Sequence, residues 1–83
     1  MSVIHPSLFL IMKHFPDHED ILRRMYLKSK TFKSICEDYQ KCEEALRYWS
    51  KSELAEAKER HREYLELLDE LKSEIQQSLD EGR

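Results

Sequence analysis

Residues 32–49 read FKSICEDYQKCEEALRYW, and this stretch decides the fold class. Its apolar residues recur in steps of three and four, the spacing that places side chains on one face of an α-helix. The same stripe extends toward the N-terminus with one gap, at Lys28. The pattern predicts a long amphipathic helix with a heptad repeat. The stripe consists of Ile21, Met25, Phe32, Ile35, Tyr39, Cys42, Leu46 and Trp49.

The start of this first helix is marked by Pro16 and by the acidic residues that follow it. Asp17 can cap free backbone N–H groups, and Glu19 and Asp20 suit the positive end of the helix dipole. The weakest point of the helix lies at residues 29–31, because Ser and Thr side chains compete for backbone hydrogen bonds. Since the apolar stripe keeps its phase across these residues, we expect at most a kink there.

A second apolar stripe covers the C-terminal part of the chain. It is one residue out of phase with the first stripe near position 50, where Ser50 and Glu53 form a capping-box pattern. We therefore predict a turn near 49–53 and an all-α fold, an antiparallel two-helix coiled-coil hairpin over residues 17–80. One continuous helix stays open as the alternative, because no Gly or Pro forces the turn. The second stripe consists of Leu54, Ala57, His61, Tyr64, Leu68, Leu71, Ile75 and Leu79.

The distribution of charge favours the hairpin. In the predicted register Phe32 faces Leu71, Tyr39 faces Tyr64, and the basic stretch 23–33 lies opposite an acidic stretch at 70–80. A parallel pair of long helices would place the basic stretch beside its own copy. Opposite charges across the seam therefore indicate that the chain folds back on itself.

The composition excludes several function classes. The chain has 83 residues, 17 acidic and 14 basic, with a net charge of −3, no asparagine and a single glycine, Gly82. All-β folds need turn residues and phosphate-binding loops need glycines, so neither is expected. The longest apolar run, Leu8 to Met12, is too short to cross a membrane. Since no secretory signal is evident, we expect a cytoplasmic protein in which Cys36 and Cys42 are reduced.

Residues 1–16 differ from the rest of the chain because they are apolar and carry little charge. We expect them to form an extended arm that packs Leu8, Phe9 and Ile11 on the body. The alternative is that Met12 is the true initiator and that residues 1–11 come from a misassigned start. Residues 81–83 are expected to form a short tail.

Few residues are candidates for metal binding or catalysis. His14, Asp17 and His18 suggest a metal site, but a proline interrupts their helical spacing and no third and fourth zinc-type ligands lie near them. Cys42 and His61 can face each other across the hairpin, which gives only two ligands. Neither cysteine lies at a helix N-terminus, and a two-helix hairpin has no pocket that excludes water. We therefore expect no catalytic residue, no metal or other cofactor, and no small-molecule substrate.

The first candidate for function is an apolar surface. Leu22, Tyr26 and Leu27 lie off the main stripe, so they form an interaction surface that needs a partner. Hairpins this small bury little area alone. The N-terminal arm, a second copy in a four-helix bundle, or another protein can cover this surface. Among these we expect self-association, into a homodimer or a larger bundle.

The second candidate is a basic patch in the same region. Its charges suggest phosphate contacts, and Tyr26 and Phe32 lie among them, where aromatic rings can stack on bases. The negative net charge and the acidic helix opposite argue against this interpretation. Nucleic-acid binding therefore stands as the alternative function, and a steep salt dependence would reveal it. The patch consists of Arg23, Arg24, Lys28, Lys30 and Lys33.

A set of short motifs is spread over the chain: Phe15-Pro16, Ile21, Phe32, Asp38-Tyr39 and the segment LKSEI at residues 71–75. Over about residues 13–79 this pattern resembles the small bacterial proteins of the YdcH type. The resemblance implies a small cytoplasmic helical hairpin of unknown function, with no catalytic residue to carry over. The sequence departs from that pattern at residues 47–49, RYW, and in its cysteines. We therefore expect a protein–protein interaction or structural module that is not an enzyme and has no membrane partner.

Overall fold

The computed structural model describes residues 5–81, and this part of the chain is all-helical, which confirms the all-α prediction. It contains four α-helices and one short 3₁₀ turn, and it contains no strand. The helices are α1 (Pro6–His14), α2 (Glu19–Lys28), α3 (Lys30–Ser50) and α4 (Ala57–Glu81), and the 3₁₀ turn is Pro16–His18. Within residues 5–81, no helix is both long enough and apolar enough to span a membrane.

Residues 6–14 form an α-helix, so the prediction of an extended arm was wrong. Pro6 occupies the first turn, where its missing N–H costs nothing, and Lys13 and His14 suit the negative end of the helix dipole. The helix buries Leu8, Ile11 and Met12, which share one face. The alternative that residues 1–11 come from a misassigned start stays a prediction. Residues 6–11 lie inside α1, and residues 1–4 and 82–83 lie outside the described residues.

The helix predicted to run from residue 17 to the turn is divided at Ser29. The backbone of Ser29 is extended, with φ −119° and ψ 115°, and its Oγ accepts a hydrogen bond from the backbone N–H of Phe32 at 3.1 Å. The expected kink is therefore a complete break, with Ser29 as the N-cap of α3. An apolar stripe can keep its phase across such a break because both helices pack on one core.

Residues 51–56 connect α3 to α4, which places the turn slightly later than the predicted 49–53. Ser50 does not form the predicted capping box, because its Oγ donates to the carbonyl oxygen of Arg47 at 2.9 Å. Ser52 instead accepts from the N–H of Leu54 at 3.2 Å. Since α3 and α4 are separate helices, the continuous-helix alternative was wrong.

The thiol of Cys42 donates to the carbonyl oxygen of Tyr64, with 3.0 Å between Sγ and O. This contact fixes the register in which α4 packs along α3. Tyr64 thus lies opposite Cys42 instead of Tyr39, a shift of about one helical turn from the predicted register. The later position of the connection accounts for the shift.

All four helices contribute side chains to the hydrophobic core. It occupies the end of the α3–α4 pair that lies away from their connection, where α1 and α2 also pack. The architecture is therefore larger than the two helices predicted, because α1 and α2 contribute separate apolar faces. The buried apolar members are Leu8, Ile11, Met12, Leu22, Tyr26, Phe32, Cys36, Tyr39, Cys42, Leu71, Ile75 and Leu79.

The other end of the α3–α4 pair differs sharply in burial. We call residues 43–70 the connection end; across this range, which the structure describes throughout, Ala57 is the one buried residue. The connection end therefore consists of two helices that pack on each other without a third layer.

Candidate interaction surface

The apolar surface predicted at Leu22, Tyr26 and Leu27 is mostly core. Leu22 is 0% exposed and Tyr26 is 8% exposed, whereas Leu27 is 79% exposed. Helix α1 supplies the cover, since Leu8, Ile11 and Met12 belong to the same buried cluster. The prediction that Leu22 and Tyr26 form a free interaction surface was therefore wrong, and only Leu27 faces solvent.

A short polar chain fixes α1 to α2 within this region. Ser7 Oγ lies 3.2 Å from Tyr26 OH and 2.8 Å from His5 Nδ1. The same Nδ1 accepts from the backbone N–H of Ser7 as the N-cap of α1. With Nδ1 as an acceptor, the Ser7 hydroxyl donates to His5 and accepts from Tyr26.

The Ser7–His5 pair has a structural role as part of the helix cap. Ser7 has no exposed surface, and both of its neighbours already use its hydroxyl. A serine nucleophile would need access to a substrate. This cap was not predicted from the sequence, although Pro6 at the first helical position is a usual sign of a helix start.

Both cysteine thiols are buried and difficult to ionise. Burial raises the pKa of the Cys36 thiol from its ordinary 9.0 to about 12, and the nearby charge of Glu37 adds to the shift. Burial likewise raises the pKa of Cys42, with Glu43 contributing, and its S–H donates to the Tyr64 carbonyl. Because the thiolate is the nucleophile and the metal ligand, both cysteines act as small apolar side chains.

His14, one of the histidines considered for a metal site from the sequence, contacts α3. His14 Nε2 lies 3.3 Å from Glu43 Oε1, and the His14 ring packs edge-on against Tyr39 at 5.4 Å. Among residues 5–81, no three His, Cys, Asp or Glu residues are grouped as metal ligands would be. His14 therefore links the end of α1 to α3.

The five basic residues of the predicted patch, Arg23, Arg24, Lys28, Lys30 and Lys33, are all exposed. Within the part of the chain that the structure describes, none of them forms an ion pair with an acidic residue. The predicted neutralisation by the C-terminal helix was therefore wrong. Lys33 instead lies over the ring of Tyr26, with Nζ 5.7 Å from the centroid.

Exposed apolar side chains concentrate at the connection end. Leu65 is 51% exposed and Leu67 is 42% exposed, and Tyr48 and Leu54 are also exposed. Leu65 and Leu67 are two residues apart, so they project about 200° apart around α4. The connection end therefore presents apolar surface on both flanks of α4.

The two flanks have different surroundings. The Leu65 flank carries a shallow hollow that includes Leu68, Asp69 and Lys72, and Leu68 also borders a second hollow with Leu46 and His61. The Leu67 flank carries a groove between α3 and α4 that includes Ala45 and Tyr64. Neither is an enclosed cavity, so both suit a protein surface better than a small ligand.

Comparison with known proteins does not extend these observations. No protein-family model matches the chain, and no curated protein or solved structure matches it either. The resemblance to proteins of the YdcH type therefore stays a prediction.

Proposed function

We propose that this protein is a small protein–protein interaction or structural module whose working surface is the connection end of α3 and α4. The observation that carries the proposal is the contrast in burial along the α3–α4 pair. One end shares a core with α1 and α2, while residues 43–70 keep three leucines and Tyr48 exposed. Exposed apolar side chains concentrated at one end of a small domain support an interaction surface there.

In this proposal α3 and α4 act as a helical hairpin anchored by α1 and α2. A hairpin with exposed apolar flanks binds other helices by packing side chains between them, as in helical bundles. The partner is a second copy or another protein, and we place the protein in the cytoplasm. The free, buried state of both cysteines supports that location.

Site-specific photo-crosslinking in the source cells tests this function. A photoreactive amino acid is placed at position 65 or 67, and the matched control carries it at Leu27, which is also an exposed leucine. We expect adducts of defined mass from positions 65 or 67 and none above background from position 27. Equal background at all three positions would overturn the proposal, and a mass equal to twice the chain would identify a second copy.

Nucleic-acid binding is the second candidate, favoured by one observation. The five basic residues of the patch are exposed and have no acidic partner within residues 5–81. Fluorescence anisotropy with labelled duplex and single-stranded nucleic acid tests it at low and high salt. Binding should weaken steeply with salt and on Arg23→Glu/Arg24→Glu substitution. Absence of binding at low salt would remove this candidate.

A further inference from the structure

The charges along α4 are divided between its two halves. Residues 57–63 contain three basic side chains, Lys58, Arg60 and Arg62, against two acidic ones, Glu59 and Glu63. Residues 66–81 contain one basic side chain, Lys72, and six acidic ones. A parallel pair of α4 helices would place the acidic halves together, whereas an antiparallel pair matches each acidic half with a basic one. The six acidic residues are Glu66, Asp69, Glu70, Glu74, Asp80 and Glu81.

The Leu65 flank has the spacing of a pairing seam. His61, Leu65, Leu68 and Lys72 follow one another in steps of four, three and four, so they form a line along α4. Leu65 is half exposed, Leu68 is partly buried, and Lys72 is exposed with an aliphatic stem that can cover apolar surface. Two leucines at the centre and polar residues at the ends limit the apolar contact to the middle of the line.

We propose that two copies of this chain pair through antiparallel α4 helices, with Leu65 of each copy packed on Leu68 of the other. The two-fold axis then passes between Leu65 and Leu68. In this arrangement Arg62 of one copy lies beside Asp69 of the other. The two-fold symmetry repeats this ion pair, so the dimer contains it twice. The proposal rests on the function proposed above and names its partner as a second copy.

The Leu67 flank lacks this complementarity. An antiparallel seam centred on Tyr64 and Leu67 would bring Glu63 of one copy beside Glu70 of the other, again twice. Like charges at such flanking positions oppose association. The charge pattern therefore selects the Leu65 flank.

Sedimentation equilibrium of the full chain measures the association. The two-leucine centre predicts a dimer with a Kd on the order of micromolar or weaker. Leu65→Lys should weaken the dimer at least about tenfold, because it places a charge in the seam. The matched control is Leu27→Lys, which changes an exposed leucine on α2, outside the connection end, and should leave the Kd unchanged. Circular dichroism verifies that both variants stay folded.

Charge reversal tests the antiparallel orientation. Arg62→Asp and Asp69→Arg should each weaken the dimer, since each creates two like-charged pairs. Mixing the two variants should restore a heterodimer, because both of its cross-pairs are then attractive. In a parallel dimer each of these residues lies beside its own copy, so neither single reversal would weaken the association.

Several outcomes would overturn this proposal. If the chain stays monomeric at every concentration, pairing with a second copy is wrong. If Leu67→Lys weakens the dimer more than Leu65→Lys does, the choice of the Leu65 flank is wrong. If the chain is monomeric but crosslinks at position 65 join it to a different protein, the second copy is wrong and the interaction function stands. If crosslinks are also absent, both proposals fail.

Discussion

Ser7 Oγ in α1 lies 3.2 Å from Tyr26 OH in α2, inside a core that leaves Ser7 with no exposed surface. This hydrogen bond joins two neighbouring helices through residues that are 19 positions apart in sequence. It also explains why Tyr26, an apolar residue off the main stripe, is buried: α1 supplies a polar partner for its hydroxyl as well as apolar cover.

Removing either hydroxyl should destabilise the fold. Ser7→Ala leaves the buried Tyr26 hydroxyl without its partner and should lower the free energy of unfolding by about 1–3 kcal/mol. Tyr26→Phe removes one neutral hydrogen bond and should cost about 1 kcal/mol. Denaturant unfolding followed by circular dichroism measures both. The double variant is the control: if the hydroxyls interact, it should lose less than the two single variants together. Strict additivity would contradict the coupling.

Leu22 and Leu27 allow a buried and an exposed leucine of α2 to be compared. Leu22→Ala should lower the free energy of unfolding by about 2–5 kcal/mol, because it leaves a cavity between α1 and α2. Leu27→Ala, at an exposed position on the same helix, should change it by no more than about 0.5 kcal/mol. Thermal and denaturant unfolding of both variants measure the difference. Equal losses would show that α1 does not cover Leu22 in solution.

The sequence was sufficient to predict that Leu22 and Tyr26 need apolar cover, but not what covers them. Their position off the main stripe is visible in the periodicity, and the N-terminal arm is one of the three covers that the sequence allows. The helical character of α1 was missed because the segment is short and its capping residue, His5, is not a usual N-cap. Leu8, Ile11 and Met12 nevertheless follow helical spacing.

The break at Ser29 and the register of α4 illustrate a second limit. An apolar stripe shows which residues face the core, but it does not show whether the backbone between them is continuous. Ser50 matched a capping signal but caps no helix, whereas Ser29, where at most a kink was expected, is the N-cap of α3. The one-turn shift that pairs Cys42 with Tyr64 follows from the position of the connection, which the sequence pattern predicts only to within a few residues.

The two serines give a direct test of which cap forms. Ser29→Ala removes the acceptor for the N–H of Phe32 and should lower the free energy of unfolding by about 1 kcal/mol. Ser50→Ala removes an exposed hydroxyl that bonds a carbonyl of the preceding turn, and its effect should stay within about 0.5 kcal/mol. Denaturant unfolding measures both variants. A larger loss at Ser50 would favour the capping box predicted from the sequence.

The thiols should resist modification in the folded protein. Cys36 and Cys42 are buried and their pKa values are raised, so little thiolate is exposed at neutral pH. Ellman's reagent should react with both at least about a hundredfold more slowly in buffer than in denaturant. Cys36→Ala and Cys42→Ala variants assign each rate to one thiol. Rapid reaction of either thiol in native buffer would show that its site opens readily.

Stability should fall at alkaline pH through Cys36 and Tyr39. Burial raises the pKa of Cys36 from 9.0 to about 12. Burial, the charge of Glu43 and that of Cys42, and a hydrogen bond to Glu43 raise the pKa of Tyr39 from 10.0 to about 12. Because the folded state holds these protons more tightly, each contribution to stability is complete below the ordinary pKa and is lost as pH rises through the folded value.

The free energy of unfolding should therefore decline between about pH 9 and pH 12. Denaturant unfolding at a series of pH values, in the presence of a reductant, measures the slope. A Cys36→Ala/Tyr39→Phe variant is the control, since it lacks both titrating groups and should show a shallower decline even if it is less stable at neutral pH. Parallel pH slopes for the variant and the unmodified chain would show that neither group is buried in solution as the structure places it.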